Sequence, residues 1–435
     1  MVKALYETLH ALRDVKILVL GDLVLDVYTK GVVQRISPEA PVPVLLVSST
    51  TESPGGAGNV ALNLSSLGAT VTLVGRIGND EAGKKISYLL EDRFFDTKGL
   101  FVQKKWITPR KNRLIADSQQ IVRCDYEKIL PLDLELEEEI VSYLEKSILE
   151  HDLIALSDYG KGFLTPSLLQ KVFSIAKEHN IRVLVDPKGY DFTKYSGAFL
   201  IKPNNKEAYT AAKCESDAPL EVVAARLFQE SSMEFLLITR AEKGMTLFAK
   251  DLSRQDFPVS KRDVLDVTGA GDTALAMIAL GIASNLPLET TINLANIASG
   301  LAIEKLGCAE ISFSDVLHGL VKDNPLGKIF TSLHLAKILQ DESIILLLVT
   351  DEEISSYLFH GIKEASERKG KNKLVIHVTP TNSNEDFIHL LASMYGVDFV
   401  LATSPLSEEA LKNFQIEEMV ETSSFSMVEW KNKYC

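Results

Sequence analysis

Cysteine is scarce in this sequence of 435 residues. Its four cysteines (Cys124, Cys214, Cys308 and Cys435) are scattered without a C-x-x-C pair, and its eight histidines form no H-E-x-x-H motif. This spacing excludes a disulfide framework and the usual zinc sites, and it is typical of a protein whose thiols stay reduced. The chemistry of the chain must therefore rest on other residue types.

Positive charge and long apolar runs are also in short supply. The formal net charge of −13 argues against a nucleic-acid binder, which needs a basic face. The first 14 residues carry charges throughout and lack the apolar core of a signal peptide. The longest apolar run late in the chain, 344–349, is far too short to span a bilayer. We expect a cytoplasmic protein with no nucleic-acid or membrane partner.

Apolar residues are plentiful but are divided into short runs. They make up 46% of the chain, and its length favours two domains. The runs at 16–20, 152–157 and 182–186 are each followed by a loop that contains glycine, and helical patterns separate them. Strands that alternate with helices in this way predict an α/β fold with a parallel sheet.

The stretch 266–273 (DVTGAGDT) carries the strongest chemical signal. It follows a β-prone segment and precedes the apolar run 274–283, so it predicts a loop that opens directly into a buried helix. The glycines in this loop would let backbone N–H groups approach an anion at the helix start. Asp272 could then accept a proton from an attacking hydroxyl. From local chemistry alone, an acid that compensates the helix dipole explains the pattern equally well.

Two aspartates follow the first apolar run. Lys16–Leu20 predicts a strand that is buried on both faces and ends at Gly21. Asp22 and Asp26 would then lie near the carboxyl end of a central strand, where α/β sheets bind ligands. For Asp22 alone we favour a solvated turn.

A second glycine-rich segment leads into another helical pattern. Gly55 and Gly56 precede Asn59 and apolar residues at helical spacing, so a helix could begin close to a ligand there. Residues 56–61 also imitate a dinucleotide-binding fingerprint. An S-P pair argues against that alternative, because it separates the glycines from the strand predicted at 42–47.

Together these motifs resemble the signatures of the PfkB/ribokinase family of sugar kinases, over about residues 16–320. The resemblance implies a ribokinase-like doubly wound sheet with a small β lid, and it implies ATP and Mg²⁺ as cofactors. Asp272 would be the catalytic base, and Asp26 and Asn59 would contact sugar hydroxyls. The positions that match the family's sugar and anion motifs are Gly55, Gly56, Gly269, Ala270 and Gly271.

The resemblance places the nucleotide at further segments. Residues 204–207 (NNKE) have the family's N-x-x-E pattern, which organises Mg²⁺ and its waters, with Glu207 as the metal-side acid. An ordinary capping box, with Asn204 as the cap, explains the same pattern. The strand at 236–239 and the helix predicted at 288–306 would supply other contacts. The nucleotide-side candidates are Asn204, Asn205, Lys206, Glu207, Thr239 and Asn296.

The segment 99–125 differs in character, because apolar and polar residues alternate and basic residues are spread through it. Such alternation predicts antiparallel strands. The resemblance makes this segment, with residues around 30–50, a β lid of the kind that often pairs into dimers. Together with the D-Y-G-K-G loop at 158–162, it resembles the branch that phosphorylates D-glycero-D-manno-heptose 7-phosphate. Arg113 and Lys161 would bind that substrate, and a solvated charged hairpin is the alternative.

The last hundred residues form a second predicted domain. A linker at 323–327 (DNPLG) would follow a kinase domain of residues 1–322. Beyond it, residues 328–435 indicate a smaller α/β, Rossmann-like domain. Its strands are predicted at 344–349, 374–378 and 397–402, and its helices at 353–368 and 385–394. This domain resembles the nucleotidyltransferase that follows the kinase in bifunctional heptose enzymes.

The nucleotidyltransferase motif itself is missing. The chemistry of that enzyme depends on an H-x-G-H loop, and this chain has none; at the corresponding place, 331–335, only His334 remains. One imidazole cannot replace two, so we expect a degenerate, catalytically inactive domain that serves stability, dimerisation or regulation. An unrelated α/β appendage is the alternative.

Three functional hypotheses follow from the sequence. The first is a homodimeric kinase that phosphorylates D-glycero-β-D-manno-heptose 7-phosphate at its anomeric hydroxyl, which would feed ADP-heptose synthesis for the lipopolysaccharide core. The second is a ribokinase- or fructokinase-like enzyme that acts on another sugar. The third is a non-catalytic sugar or nucleotide sensor.

Overall fold

The computed structural model describes residues 15–116, 119–259, 262–322, 328–330, 335, 339, 342–349, 356–378, 385–401, 414–421 and 427–428. The chain divides into two compact units, one within Ala11–Val316 and one from Leu317 onward. The first 14 residues, the predicted linker at 323–327 and His334 lie outside the described residues.

Strands and helices alternate along most of the chain. The strands are β1 (Lys16–Ile36), β2 (Pro43–Gly56), β3 (Thr70–Gly78), β4 (Leu100–Gln103), β5 (Arg110–Ala116), β6 (Gln119–Tyr126), β7 (Leu153–Ser157), β8 (Arg182–Asp186), β9 (Leu200–Ile201), β10 (Phe235–Thr239), β11 (Met245–Ala249), β12 (Arg254–Phe257), β13 (Ile329–Phe330), β14 (Ser343–Val349), β15 (Lys373–Val378), β16 (Phe399–Leu401), β17 (Gln415–Glu421) and β18 (Met427–Val428). The helices are α1 (Ala57–Ser66), α2 (Glu81–Glu91), α3 (Leu134–Ser147), α4 (Pro166–Glu178), α5 (Asn205–Ala211), α6 (Leu220–Glu230), α7 (Ala270–Ala283), α8 (Leu288–Ile303), α9 (Phe313–Lys322), α10 (Ser356–Arg368) and α11 (Glu385–Ser393).

The first unit is built on one large sheet. Its strand order is β12-β11-β10-β9-β8-β7-β1-β3-β4. The strands from β10 to β4 run parallel, and β11 and β12 add an antiparallel edge. Ile17, Leu18, Val19 and Leu20 of β1 are all fully buried. Successive side chains of a strand point to opposite faces, so both faces of this sheet are covered, as the α/β prediction requires.

Strand β1 is longer than the sequence indicated. We predicted a strand over Lys16–Leu20 that ends at Gly21, whereas β1 continues to Ile36 and pairs with β2 and β5 beyond the main sheet. Glycine is required at position 21, because an added Cβ would lie 2.1 Å from the carbonyl oxygen of Ser157. One continuous strand therefore connects the main sheet to a smaller sheet.

That smaller sheet is the lid, formed by the outer part of β1 with β2, β5 and β6. β2 is antiparallel to β1, β5 is parallel to it, and β6 is antiparallel to β5. Leu100–Gln103 (β4), which lies in the segment we assigned to the lid, instead pairs with β3 in the main sheet. The lid is therefore assembled from the outer half of β1, the strand β2 and the β5–β6 hairpin.

The glycines at the end of β2 are part of that strand. β2 runs through Ser53 and Pro54 to Gly56, so the S-P pair does not interrupt it as we expected. The dinucleotide-binding alternative still fails, for a different reason. β2 joins β1 as an antiparallel pair and leads into α1, whereas the fingerprint belongs to a parallel βαβ unit.

The core of the first unit positions the later helices. Buried residues such as Leu18, Ile154, Leu168 and Val223 form one cluster between the sheet and α3 to α6. The helix α7 is buried along residues 272–282 and is apolar around its whole circumference, as an interior helix is. Its first turn is therefore fixed inside the protein.

The second unit has its own sheet and core. The strand order is β13-β16-β15-β14-β17-β18, and the pairs are parallel except for β17 and β18. Buried residues of strands and helices, including Leu347, Ile376, Leu391 and Val400, form its core. The predicted smaller α/β domain is confirmed as a fold, while the domain limits 1–322 and 328–435 stay a prediction.

Helix lengths in both units are those of globular proteins. The helix α8 has 16 residues. Within the described part of the chain, no helix is long and apolar enough to cross a membrane.

Candidate active site

Asp272 lies in the first turn of α7, just after a tight backbone bend. Gly269 caps the helix with a φ of 81°, in the left-handed region that favours glycine. An added Cβ on Gly269 would lie 2.8 Å from Nδ2 of Asn59, so even alanine would crowd the site. The amide of Ala270 makes only a long bond, 3.4 Å, to the carbonyl of Val267. N–H groups at a helix start and the positive end of its dipole favour an anion at this bend.

Two donors hold the carboxylate of Asp272. Nδ2 of Asn59 donates to Oδ2 at 2.8 Å, and the hydroxyl of Tyr159 donates to Oδ1 at 2.7 Å. Asp272 is 3% exposed. This burial raises the pKa of its carboxyl to about 7, although the two hydrogen bonds act to lower it. A carboxylate with a pKa near neutrality is suited to accept a proton at physiological pH.

An ion pair between a buried lysine and a partly exposed aspartate lies close to the bend. Lys202 follows β9 and is 2% exposed, and its Nζ lies 3.0 Å from Oδ2 of Asp186 at the end of β8. The same Nζ is 3.9 Å from the place that a Cβ on Gly271 would occupy. After burial and the two hydrogen bonds, Asp186 raises the pKa of Asp272 and Lys202 lowers it. Both residues thus act electrostatically on the carboxylate.

Asp26 is the centre of a second cluster, in the outer part of β1. Its Oδ1 accepts a bond of 2.5 Å from Nη1 of Arg113, and the thiol of Cys308 lies 3.4 Å from its Oδ2. Burial raises the pKa of Cys308, so the thiol stays protonated and can donate. Gly55 is needed beside it, because an added Cβ would lie 1.9 Å from Oδ2 of Asp26. The structure therefore brings Asp26, Arg113 and Gly55 together, as their predicted shared role requires.

Cys308 also connects this cluster to the bend. Its Cα would lie 3.4 Å, and its Sγ 3.6 Å, from a Cβ added to Gly269. Gly56 lies next to Gly55 with a φ of 60°, and an added Cβ there would lie 2.4 Å from the carbonyl oxygen of Asp22. The sugar-side and anion-side candidates thus belong to one site.

Asp22 is not in a solvated turn, and that expectation was wrong. It is buried, and its carboxylate accepts backbone N–H bonds from Tyr159, Lys161 and Phe163 at 3.0, 3.0 and 3.2 Å. Burial raises the pKa of its carboxyl, and Asp158 adds to the effect. Asp22 therefore shapes the D-Y-G-K-G loop and presents Tyr159 to the carboxylate of α7.

The lid cations differ in whether they already have partners. Lys161 is buried, and its Nζ lies 2.6 Å from a carboxylate oxygen of Glu127. Lys111 of β5 lies over the ring of Tyr159, 5.3 Å from its centroid, and no carboxylate is within ion-pair distance in the described chain. Burial lowers the pKa of Lys111. The ammonium of Lys111 is therefore a cation facing the site without a paired carboxylate.

The N-x-x-E segment forms a complete capping box at the start of α5. Oδ1 of Asn204 accepts from the backbone of Glu207 at 2.9 Å, and Oε2 of Glu207 accepts from the backbone of Asn204 at 3.0 Å. Oε1 of Glu207 lies 2.5 Å from Nζ of Lys188. Asn205 and Lys206 are exposed in the same turn. The capping alternative is thus present, and the nucleotide-side role of these residues stays a prediction.

The other two nucleotide-side candidates lie at different places. The amide of Thr239 donates to the carbonyl of Pro203 at 3.0 Å, and Thr239 forms a β-bridge with Asn204. Asn296 in α8 is buried and donates from Nδ2 to the carbonyl of Phe257 at 3.0 Å. Thr239 is therefore grouped with the N-x-x-E segment, whereas the Asn296 amide holds α8 to the end of β12.

Several residues of the site were not found from the sequence. Asp186 and Lys202 directly follow or end strands of the parallel sheet, and this position is the signal that could have identified them. Tyr159 was seen only as part of a motif, and Cys308 only as an isolated cysteine. Their contacts join segments more than a hundred residues apart, which periodicity cannot predict.

A family comparison decides between a kinase and a dipole-compensating helix start. The model of the pfkB family carbohydrate kinases matches residues 15–314. The chain belongs to this family of carbohydrate kinases. Its matched region contains the bend, both carboxylate clusters and the N-x-x-E segment, and the predicted enzyme class, a sugar kinase, is confirmed.

Curated relatives narrow the group within the family. Bifunctional protein HldE of Geobacter metallireducens is 43% identical over 310 residues, which cover 71% of this chain and 63% of that protein. Bifunctional protein HldE of Aliarcobacter butzleri is 37% identical over 409 residues, which cover 88% and 85%. This pfkB-family chain thus spans less than two-thirds of the first relative and most of the second. The predicted resemblance to bifunctional enzymes is confirmed.

Solved structures agree on the fold. Ribokinase of Arabidopsis thaliana, complexed with ribose and ATP, has a TM-score of 0.56 at 18% identity and covers 71% of this chain and 99% of its own. Phosphofructokinase-2 from Escherichia coli, in complex with potassium, has a TM-score of 0.58 at 20% identity, with the same coverage. Identities this low show the fold alone, and the predicted ribokinase-like fold is confirmed.

Proposed function

We propose that the chain is an ATP-dependent kinase that phosphorylates the anomeric hydroxyl of D-glycero-β-D-manno-heptose 7-phosphate and forms the 1,7-bisphosphate. The observation that carries this proposal is Asp272, a buried carboxylate with a pKa near 7, fixed by Asn59 and Tyr159 beside an amide bend. A base and an anion hole side by side are what phosphoryl transfer to an alcohol needs. The product would feed ADP-heptose and lipopolysaccharide core synthesis in the cytoplasm.

The transfer step uses the two features together. Asp272 accepts the proton of the sugar hydroxyl, and the sugar oxygen forms a bond to the γ-phosphorus in line with the bridging oxygen that leaves on ADP. The amides of Gly269, Ala270 and Gly271 hold the charge on the transferred group. The residues that would receive sugar hydroxyls are Asp26 and Asn59, and Gly55 and Gly56 let the backbone pass close to the Asp26 carboxylate and the Asp22 carbonyl.

The residues around Glu207 fit a magnesium ion that is held mainly by nucleotide phosphates and water. Mg²⁺ commonly takes one or two protein carboxylates and keeps several waters, and when bound it would neutralise phosphate charge. Among described residues, no group of three or more His, Cys, Asp or Glu could form a protein cage for a metal. Asn204, Asn205 and Lys206 would border the nucleotide in the same turn as Glu207, with Thr239 beside them.

The charges of the lid support a substrate that already carries a phosphate. Arg113 is committed to Asp26, Lys161 to Glu127, and Arg123 to Asp125. Lys111 has no such partner, so its ammonium would take the 7-phosphate directly, with Arg113 and Lys161 adding positive potential. A neutral sugar would leave this half-buried cation without compensation.

The lid also supports a homodimer. Its strands and the turn before β2 expose several apolar residues, namely Val32, Ile36, Val42, Leu46, Val47, Ile121 and Val122. Val32 and Leu46 pair directly between β1 and β2, and grouped exposed apolar side chains are typical of interaction sites. We propose that the lids of two copies cover each other there. In light scattering, Leu46→Asp is expected to shift the protein from dimer to monomer, and an unchanged dimer would contradict this.

The C-terminal unit would add no second activity. Its sequence resembles a nucleotidyltransferase without the H-x-G-H motif, so nucleotide–sugar formation by the full chain is not expected. A stabilising or regulatory role remains for this unit. Detection of a nucleotide–sugar from heptose 1-phosphate and ATP would contradict the assignment.

Coupled ADP release tests the proposed function. Turnover is measured with ATP and heptose 7-phosphate, ribose, fructose or fructose 6-phosphate as acceptor. We expect heptose 7-phosphate to be preferred over ribose and fructose by at least roughly 100-fold in kcat/KM, because a site built to bind a phosphate rejects a sugar that lacks one. Preference for an unphosphorylated sugar would instead make the chain a ribokinase- or fructokinase-like enzyme. Binding without ADP release from any acceptor would make it a sensor.

A further inference from the structure

Lys202 is a cation buried directly behind the anion-binding bend. It is 2% exposed, and its Nζ lies 3.9 Å from the position of a Cβ on Gly271. The residue follows β9, at the carboxyl end of the parallel sheet, where α/β folds bind their ligands. The resemblance to sugar kinases gave this lysine no role.

The ion pair that Lys202 forms indicates that this lysine has a role other than packing. Nζ of Lys202 lies 3.0 Å from Oδ2 of Asp186, and the Asp186 side chain is partly exposed. Replacing a buried ion pair with apolar residues is often neutral or stabilising, so such a pair is weak evidence of a stabilising role. A lysine that faces backbone amides at a helix start instead adds its charge to the field that these amides make.

We propose that Lys202 is a further catalytic residue, whose ammonium contacts the phosphoryl oxygens during transfer, and that Asp186 is the positioning residue that holds it. The inference rests on the proposed kinase function. Charge in the transition state spreads over the three equatorial oxygens of the phosphoryl group, and lysine binds phosphate as a point charge. The Cβ position of Gly271 lies 3.9 Å from the ammonium, so Lys202 is close to the amides that would hold the phosphoryl group.

The Asp186–Lys202 pair also affects the pKa of Asp272. The groups that face Asp272 are Asn59 from α1, Tyr159 from the loop after β7, Asp186 from β8, Lys202 from the segment after β9 and Cys308 from the loop after α8. Lys188 and Glu207 act on Asp186. Of the ion pair, Lys202 favours the charged form of Asp272, and Asp186 opposes it.

The experiment compares Lys202→Met, Lys202→Arg and Asp186→Asn in the full chain, with ATP, heptose 7-phosphate and the coupled assay. Lys202→Met is expected to lower kcat at least roughly 100-fold, with partial rescue by Lys202→Arg. The acidic limb of the pH–rate profile should move to higher pH in Lys202→Met and to lower pH in Asp186→Asn. A merely structural pair would not produce opposite shifts.

Two controls keep the outcomes distinct. Lys369→Met removes a lysine from an ion pair of 2.7 Å in the C-terminal unit and should leave kcat unchanged. Thermal unfolding checks that each variant folds. If Lys202→Met does not fold, Lys202→Arg and Asp186→Asn test the proposal in its place. A kcat for Lys202→Met within about threefold of wild type, or limbs that move in the same direction, would overturn the proposal. A wild-type chain that turns over no sugar would refute the kinase function itself.

Discussion

Among the residues that the structure describes, one ion pair in each unit lies at a different end of the parallel strands. In the first unit, Lys202 is buried and Asp186 is partly exposed, and both lie where strands end. In the C-terminal unit, Lys328 and Asp398 precede β13 and β16, and the described contacts of Asp398 are with Lys369 and the backbone of Leu374. Ligands bind outside the carboxyl ends of the strands in such folds, so the pair in the first unit lies where a ligand site is expected.

On the proposed function, the kinase unit tolerates the burial of the Asp272 carboxylate, whose pKa is raised to about 7, because this group would act on the reaction. The described contacts of the C-terminal unit are those of a packed sheet with ordinary ion pairs. Variants in the two units should therefore separate activity from stability.

Gly269→Ala should give the largest loss of activity. A side chain at a φ of 81° is strained, and its Cβ would press on Asn59, which holds the Asp272 carboxylate. We expect kcat to fall at least roughly 100-fold, as when an anion-hole donor is lost. Gly68→Ala is the matched control, since Gly68 also has a positive φ but has nothing within 4 Å of an added Cβ. Equal losses in the two variants would show that backbone strain alone is responsible.

Gly55→Ala should come next, with an effect on substrate binding. The added Cβ would lie 1.9 Å from Oδ2 of Asp26 and must displace that carboxylate or the strand. We expect KM for the sugar to rise roughly tenfold or more and KM for ATP to change little. A change confined to ATP would place Asp26 outside the sugar site.

The positions of several site residues could be predicted from the sequence, whereas the length of one strand could not. Gly55, Gly269, Asp26 and Asp272 could be proposed from the sequence because each lies in a local motif, and the resemblance to the family gave these motifs their roles. The length of β1 could not be predicted, because Gly21 looks like a strand end until its close approach to Ser157 of β7 is known.

The electrostatics of the site were also beyond the sequence. The pKa of Asp272 depends on donors and charges from four other segments, and their convergence is a property of the folded sheet. Likewise, Asp22 looked like a surface turn because its partners are the backbone amides of a loop some 140 residues later.

Tyr159→Phe should have a smaller, pH-dependent effect. Burial raises the pKa of Asp272, and the hydroxyl of Tyr159 lowers it by donating to the carboxylate. Removing that donor should raise the pKa further, so less of the base is charged at neutral pH. We expect the acidic limb of kcat/KM to move to higher pH, with a loss of several-fold near about pH 7 and little loss at alkaline pH. An acidic limb that stays at the wild-type position would mean that Tyr159 does not affect the pKa of Asp272.

Asp398→Asn should not affect turnover at all. It removes an ion pair with Lys369 and weakens a backbone bond to Leu374, which should cost about 1–3 kcal/mol of stability in the C-terminal unit. Limited proteolysis should show earlier cleavage of that unit while kcat stays unchanged. Lys371→Ala, at an exposed position, is the control. A parallel loss of kinase activity would show that the units are functionally coupled.

The most direct test of the account is the turnover of Asp272→Asn across pH, with ATP and heptose 7-phosphate. Asp96→Asn, an exposed aspartate outside the site, provides the matched control. The account predicts that wild-type activity rises with pH through an apparent pKa of about 7, and that Asp272→Asn loses at least roughly 100-fold in kcat together with this limb. An Asp272→Asn enzyme within about threefold of wild type at alkaline pH would contradict the assignment of the base.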